Sequence, residues 1–521
     1  MKHPANLLAV LGLVSVLGIG CQTYNQKTKD VTQLWRQGNV QEAAAQFSAK
    51  AQKEKNGKDT VIWRLEQAEA LRAGGQWQES NTAFDAAEEK INRHDERAKV
   101  SISQEAGALL SNQANLPYEG RDYDKVMLNA YKALNFLQLG EPDKARVELI
   151  RAYQRQQDAV ENNKRRIEKT EEAANNLKNS KERGADQAKD MADKAKAHPK
   201  FNQQVGSAYS HLDSLKAYAD YVNPFVVYLD ALFFMTASVG GSDLERARKS
   251  FERVLGFTGE TNKFIKQDLE TIDQVLQGAA LPPTTYVIFE TGTAPIRDQI
   301  RIDIPLFFIG KGDVPYVGAA FPRLKFQDGH LPCLSVSANG TTETTVLLSS
   351  MDSVVGQSFK NELPTIITKT LLSTVTKAAA AYGINKAASD QDKVAGLVSK
   401  ILTGLYQAAV NIADTRTWTT LPKEFQFCRI PTPANHRVEI SGPGGESKTE
   451  VMVEDGAVNL IYVKSTSATS PLMVSQLKLK PSSAATVSTS TAIEGRSPAI
   501  ATKAPVESAA VPPAQPADTQ R

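Results

Sequence analysis

Histidine and cysteine are scarce in this chain, six and three among 521 residues. No histidine has a cysteine or a second histidine at ligand spacing, so the pattern offers no transition-metal site and implies no cofactor. The phosphate loop GxxxxGKS/T, the zinc motif HExxH, the nucleophile elbow GxSxG and the redox pair CxxC are all missing. Nucleophilic catalysis requires a base beside a serine or cysteine, and no segment marks one. A net charge of +3 is too small to suggest a nucleic-acid partner. The apolar run at the start, Leu7 to Gly20, is shorter than the roughly 20 residues a bilayer-spanning helix needs.

That opening run has its own logic. Lys2 supplies a basic start, an apolar core follows, and small residues close it at "GIGC", Gly18 to Cys21. This is the layout of a secretory signal peptide over residues 1–20. The end resembles the lipobox of bacterial lipoproteins, although Gly18 stands where that motif usually has leucine. The resemblance implies cleavage before Cys21, lipidation of its thiol and acylation of the new amino group. Each buried CH₂ contributes about 0.8 kcal/mol, so several acyl chains hold a protein on a membrane durably. Gln22, rather than aspartate, follows the cysteine. By resemblance to Gram-negative sorting, that implies the periplasmic face of the outer membrane.

A helical repeat runs through residues 21–280. Gly38, Ala43 and Phe47 recur as Gly75, Ser80 and Phe84, then as Gly140, Ala145 and Leu149. Ala247 and Phe251 repeat the last two positions after Gly241. A glycine ends one helix in the left-handed conformation, the small residue admits the next helix, and the large one fills the gap. Trp63, Ala68, Leu71, Trp77 and Ala87 sit at spacings that resemble the tetratricopeptide repeat. Residues 95–118 fit a degenerate copy. Residues 154–200 are charged on nearly every face, with Tyr153, Val160, Ile167, Ala174 and Leu177 as a thin stripe. They predict a weakly packed antiparallel arm turning near Gly184.

The pattern changes near Leu281. Runs rich in β-branched and aromatic residues predict a β-rich domain over 281–480, with a hairpin turned at Asn339-Gly340 and another turn at Asp455-Gly456. Helices are predicted at 363–383 and 391–413. Each side of the boundary should carry its own core, with "YVNPFVVYLDALFFM" as the segment that could seal the joint. Residues 481–521 are Ser, Thr, Ala and Pro with few large apolar residues, the composition of a disordered tail. The fold class is α+β.

Glu290, Arg297, Arg323, Asp414, Arg416 and Trp418 lie among Gly and Pro in the β-rich part. They are candidates for a groove in which an arginine fork grips a carboxylate or acidic glycan; the competing reading is an ion-pair network with Trp418 in the core. Cys333 and Cys428 are candidates for a disulfide, or for free buried thiols. These segments, with "LNAYKALNFLQLGEPDKARVELIRA" and "NPFVVYLDALFF", resemble an uncharacterised family of Gram-negative lipoproteins over most of residues 100–440. The resemblance implies a place in envelope biogenesis and transfers no catalytic residue. Two functions remain open. One is a non-enzymatic membrane-anchored scaffold that binds envelope protein partners. The other is an envelope enzyme acting on peptidoglycan or a glycan through carboxylates such as Glu290 and Asp414.

Overall fold

The computed structural model describes residues 22–100, 113–177, 185–307, 316–386 and 412–481, apart from single positions 217, 260, 446, 447 and 455. The segment ending at Cys21, most of the helix expected at 391–413, the turn near Gly184 and the tail beyond Pro481 lie outside them. Helices fill the first part of the chain and strands dominate the second, which is the α+β class.

The first three repeats close their turns identically. Helices α1 (Tyr24–Arg36) and α2 (Val40–Lys53), α3 (Thr60–Ala73) and α4 (Trp77–Val100), and α5 (Asp122–Gln138) and α6 (Pro142–Asn176) form three hairpins. Gly38, Gly75 and Gly140 all take positive φ, at 80°, 77° and 72°. Behind each glycine the next amide reaches back five residues: Asn39 to Leu34, Gln76 to Leu71 and Glu141 to Phe136, at 3.0, 2.9 and 2.8 Å. The glycine amide itself bonds the carbonyl three residues earlier in every case. Together these satisfy carbonyls that a helix end leaves orphaned. Ala43, Ser80 and Ala145 are fully buried where the helices cross, with Phe47, Phe84 and Leu149 beside them.

The fourth copy differs. Helix α9 (Pro224–Thr236) is followed by α10 (Gly241–Thr258), and Gly240 is extended at φ 178°. A longer connection replaces the tight left-handed turn, so only the buried Ala247–Phe251 pair is shared.

The charged stretch is helical, and of the apolar stripe the sequence predicts Ala174 and Leu177 are buried, Ile167 is half-buried, and Tyr153 and Val160 are exposed. Ala152, Gln156, Ala159 and Ala173 are buried as well. Small side chains let α6 approach its neighbours, and Gln156 is retained inside because its Oε1 accepts from the Asn223 amide at 2.9 Å. Helices α7 (Ala185–Ala197), α8 (Pro199–Tyr209) and α11 (Lys263–Leu276) complete the helical part.

The central sheet is built on β1 (Thr284–Thr291), buried along its whole length. Its order is β11 (Met473–Pro481), β10 (Gly456–Ser465), β1, β7 (Glu424–Pro431) and β6 (Val346–Ser350). β1 runs parallel to β10 and antiparallel to β7. A hairpin of β2 (Ile296–Pro305) and β3 (Tyr316–Lys325) stands apart from it. A third sheet orders β5 (Thr341–Thr344), β4 (Ser335–Ala338), β8 (Arg437–Ser441) and β9 (Thr449–Met452). Asn339 and Gly340, at φ 51° and 77°, make the β4–β5 turn as their sequence predicts. Gly456 is not a hairpin turn: β9 pairs with β8, and β10 with β1 and β11. Helix α12 (Met351–Lys386) starts earlier than expected and runs through Pro364, which cannot donate to the carbonyl one turn back.

Separate cores do not form on the two sides of Leu281. The buried apolar residues make one continuous cluster from Tyr24 to Leu479. Every residue of α9 is buried. Phe225 stacks on Phe425 of β7 with ring centroids 3.8 Å apart, and Tyr228 lies 4.7 Å from Phe427. The apolar excess of α9 exists because one face meets helices and the other meets the sheet.

Candidate functional site

The helical and β-rich parts meet along α3, which turns Glu66, Glu69 and Arg72 inward and keeps Arg64 and Gln67 half-buried. The first three side chains are buried. Glu66 reaches the turn after Trp418. Its two oxygens accept the amide and hydroxyl of Thr419 at 2.6 and 2.7 Å, the amide and hydroxyl of Thr420 at 3.1 and 2.9 Å, and the Tyr24 hydroxyl at 3.1 Å. No cation is among these partners. Burial therefore pushes its carboxyl up to about 7, even though the five donors oppose the shift.

One turn further on, charge answers charge. Glu69 pairs with Lys464 of β10 at 2.7 Å and with Arg72 at 3.3 Å. Glu290 of β1 bonds Lys464 and the Tyr462 hydroxyl, and lies 3.5 Å from Arg72. The Arg72 guanidinium sits over the rings of Tyr131 and Tyr462 at 4.3 and 4.7 Å. Burial raises both carboxyls. For Glu290 the attraction of Lys464 and Arg72 outweighs burial and holds it below the ordinary range, whereas Glu69 stays above it.

A second network closes the same joint further along. Glu362 of α12 accepts from Arg121 and Arg297, both at 2.7 Å through Oε2. Burial would raise its carboxyl, but Arg297, Arg121 and Arg166 hold it down to about 2. Arg121 also lies 3.8 Å from Asp414 and donates to the Arg416 carbonyl at 3.3 Å. Arg416 grips Asp414 through Nε and Nη2 at 2.7 and 3.0 Å. It then crosses to the helical part, donating to Asp59 at 3.0 Å and to the carbonyls of Leu116 and Gln113 at 2.7 and 3.1 Å. Trp418 is fully buried, edge-on to Phe84 and Tyr131 at 5.9 Å each, and donates its indole N–H to Thr420 at 2.8 Å.

Five of the six groove candidates thus gather at the joint, and they are paired with one another or with the helical part. The open groove is corrected to a closed ion-pair network, the competing reading. Arg323 does not join it: it is exposed on β3, 3.6 Å from its cross-strand neighbour Asp298. Cys333 and Cys428 are free thiols. Cys428 is buried in β7 opposite Val287, and burial pushes its thiol up. Among the described residues no group of three His, Cys, Asp or Glu side chains is placed to hold a metal ion, and no helix is long and apolar enough to cross a membrane.

Glu66, Glu69, Arg72, Arg121, Glu362 and Lys464 were not singled out from sequence. A signal existed on α3: of its four charges, Glu66, Glu69 and Arg72 are spaced i, i+3 and i+6 among Leu and Ala, with only Arg64 off that stripe. An apolar helix carrying one charged stripe must bury those charges against partners. The partners could not be named, because Lys464 lies 395 positions from Glu69. A polar surface groove of about 320 Å³ also runs between α4 and α6, lined by Glu88, Asn92, Arg151, Gln154, Arg155 and Asp158.

No family model, no curated protein and no solved structure matches the chain.

Proposed function

We propose that the protein is a non-catalytic scaffold lipoprotein. It is anchored through lipid on Cys21 to the periplasmic face of the outer membrane and binds protein partners in envelope assembly or maintenance. The observation that carries the non-catalytic part is the saturation of the joint. An enzyme working through Glu290 and Asp414 needs a carboxylate open to substrate. Glu290 is instead enclosed by Lys464, Arg72 and Tyr462, and Asp414 by Arg416 and Arg121. Three stacked hairpins with TPR-like spacing support the partner-binding part, since such stacks present extended surfaces built from repeated helix pairs. The lipobox resemblance supports the anchor.

Three measurements test this. Crosslinking in native membranes followed by pull-down of the full chain should recover a defined envelope protein, and incubation with purified peptidoglycan should release no product. Cys21→Ala should lose lipid label and leave the membrane fraction or accumulate as precursor. Product release abolished by Glu290→Gln in a variant that still melts like wild type would favour the enzyme. Wild type without lipid label would remove the anchor.

A further inference from the structure

A small cavity lies under α1, between that helix, the start of β2 and the Thr419 turn. Its volume is about 40 Å³, and Asn25, Thr28, Thr32, Trp35, Arg36, Ile296 and Thr419 line it. Two of these residues bring polar atoms that are buried and have no partner among the described residues: the Trp35 indole N–H and Asn25 Oδ1. Trp35 is only 1% exposed. A buried polar group without a partner costs about 1–3 kcal/mol, so two beside one cavity mark a place where something binds.

The chemistry of the lining identifies it. Thr28 donates its hydroxyl to the Tyr24 carbonyl at 3.0 Å and Thr32 to that of Thr28 at 3.0 Å, so each keeps only accepting lone pairs for the cavity. The Thr419 hydroxyl is likewise committed to Glu66 at 2.7 Å. Asn25 spends one amide N–H on the Arg297 carbonyl at 2.7 Å, and its oxygen has no partner among the described residues. Arg36 directs Nη2 to Gln327 at 2.5 Å. Of the lining atoms that are buried and unpartnered among the described residues, one is a donor, on Trp35, and one an acceptor, on Asn25, with the exposed Arg36 as a further donor. A carboxylate or halide has no proton for Asn25 Oδ1 or the threonines. An ammonium ion has no lone pair for the indole N–H. Water has both, and one water needs only some 10–15 Å³ of such space, so about two or three fit.

We propose that this cavity is a built site for ordered water, which links α1 to the start of β2 and the Thr419 turn. Trp35 and Asn25 stand ten residues apart on α1, so the waters act in file: one accepts from Trp35 Nε1, another donates to Asn25 Oδ1, and the threonine oxygens lie between them. This stands independently of the scaffold reading, because only the described side chains enter it.

The test is a high-resolution crystal structure of the full chain, with oxygen-17 magnetic relaxation dispersion on wild type, Trp35→Phe and Thr32→Val. Wild type should show one water within about 3 Å of Trp35 Nε1 and a second within about 3 Å of Asn25 Oδ1. Its long-lived water signal should fall in Trp35→Phe, which keeps a ring beneath Lys464 but removes the donor. Thr32→Val removes an accepting oxygen at nearly constant volume, so it should also lower the signal, and it serves if Trp35→Phe does not fold. A cavity without density, a Trp35 N–H bonded to protein, or a signal unchanged in the folded variants would overturn the proposal.

Discussion

Glu66 and Glu69 stand three residues apart on one helix, both fully buried, and the protein accommodates them in opposite ways. Glu66 is held by five neutral donors and Glu69 by two cations. Neutral donors stabilise an anion without neutralising it, so burial still prevails and the Glu66 carboxyl titrates near 7. Around Glu69 and Glu290 the formal charges of Lys464 and Arg72 cancel those of the two carboxylates. The first makes the joint sensitive to pH through one carboxyl without a cation; the second, where Glu69 is raised as well and Glu290 is held down, makes it depend on every member being present.

The largest effect should come from breaking the charge-balanced side. Lys464→Met leaves Glu69 and Glu290 buried with one cation between them, and the loss should be about 3–5 kcal/mol in urea unfolding. Adding Glu290→Gln to Lys464→Met should recover part of it; no recovery would mean the charges are not coupled.

The neutral side should answer to pH. Glu66 is raised to about 7, and Asp124 and Asp268 are raised to about 6 by burial. A raised carboxyl keeps its proton in the folded state after the unfolded chain has released it. Its contribution is complete below the ordinary carboxylate range and is lost as pH rises through the folded value. For Glu66 a rise from 4.5 to about 7 corresponds to on the order of 3 kcal/mol. Glu362, held down to about 2, acts oppositely and withdraws its share as pH falls from the ordinary range toward that value. Stability measured by denaturant should therefore peak near pH 4 and decline toward pH 7. Glu66→Gln should flatten that decline, and an unchanged slope would assign it to other groups.

The turn glycines sharpen the comparison on a smaller scale. At Gly140 a β-carbon meets nothing within 4 Å, whereas at Gly38 it would lie 2.6 Å from Pro471 Cδ. Gly140→Ala should cost the left-handed conformation alone, about 1–2 kcal/mol, and Gly38→Ala should cost more. Equal melting of the two variants would mean the loop at Pro471 yields freely. Arg323→Ala, outside both networks, should change stability by less than about 0.5 kcal/mol.

The sequence patterns tell these regions apart by range. Gly38, Gly75 and Gly140 were legible because a left-handed helix end and its small and large partners are all encoded within a dozen residues. The β1, β7 and β10 segments were legible from their own composition. The stripe on α6 was legible at its far end, Ala174 and Leu177, but not at its start, where the buried positions are Ala152, Gln156 and Ala159 rather than Tyr153 and Val160. The candidate site was legible in half: Arg297, Asp414 and Arg416 announced a charge cluster among turn residues. The α3 charges and Lys464 that complete the joint did not, since pairing across hundreds of residues leaves no local trace. For the same reason the boundary at Leu281 marked a change of secondary structure rather than two cores.

The position of β1 has a consequence for the making of the protein. Both its neighbours come later in the chain: β7 ends at Pro431 and β10 at Ser465. Loop closure on that scale makes such a sheet slow to form. A chain emerging amino end first can close its three glycine turns early, but the charged face of α3 waits for Lys464. Until the last tenth or so of the chain has been delivered, the helical stack holds Glu69 and Arg72 without their partners and a seam open to the wrong contacts. A nascent or truncated chain ending before Ser465 is then a client for chaperones, and assembly of the protein is timed by its carboxyl end.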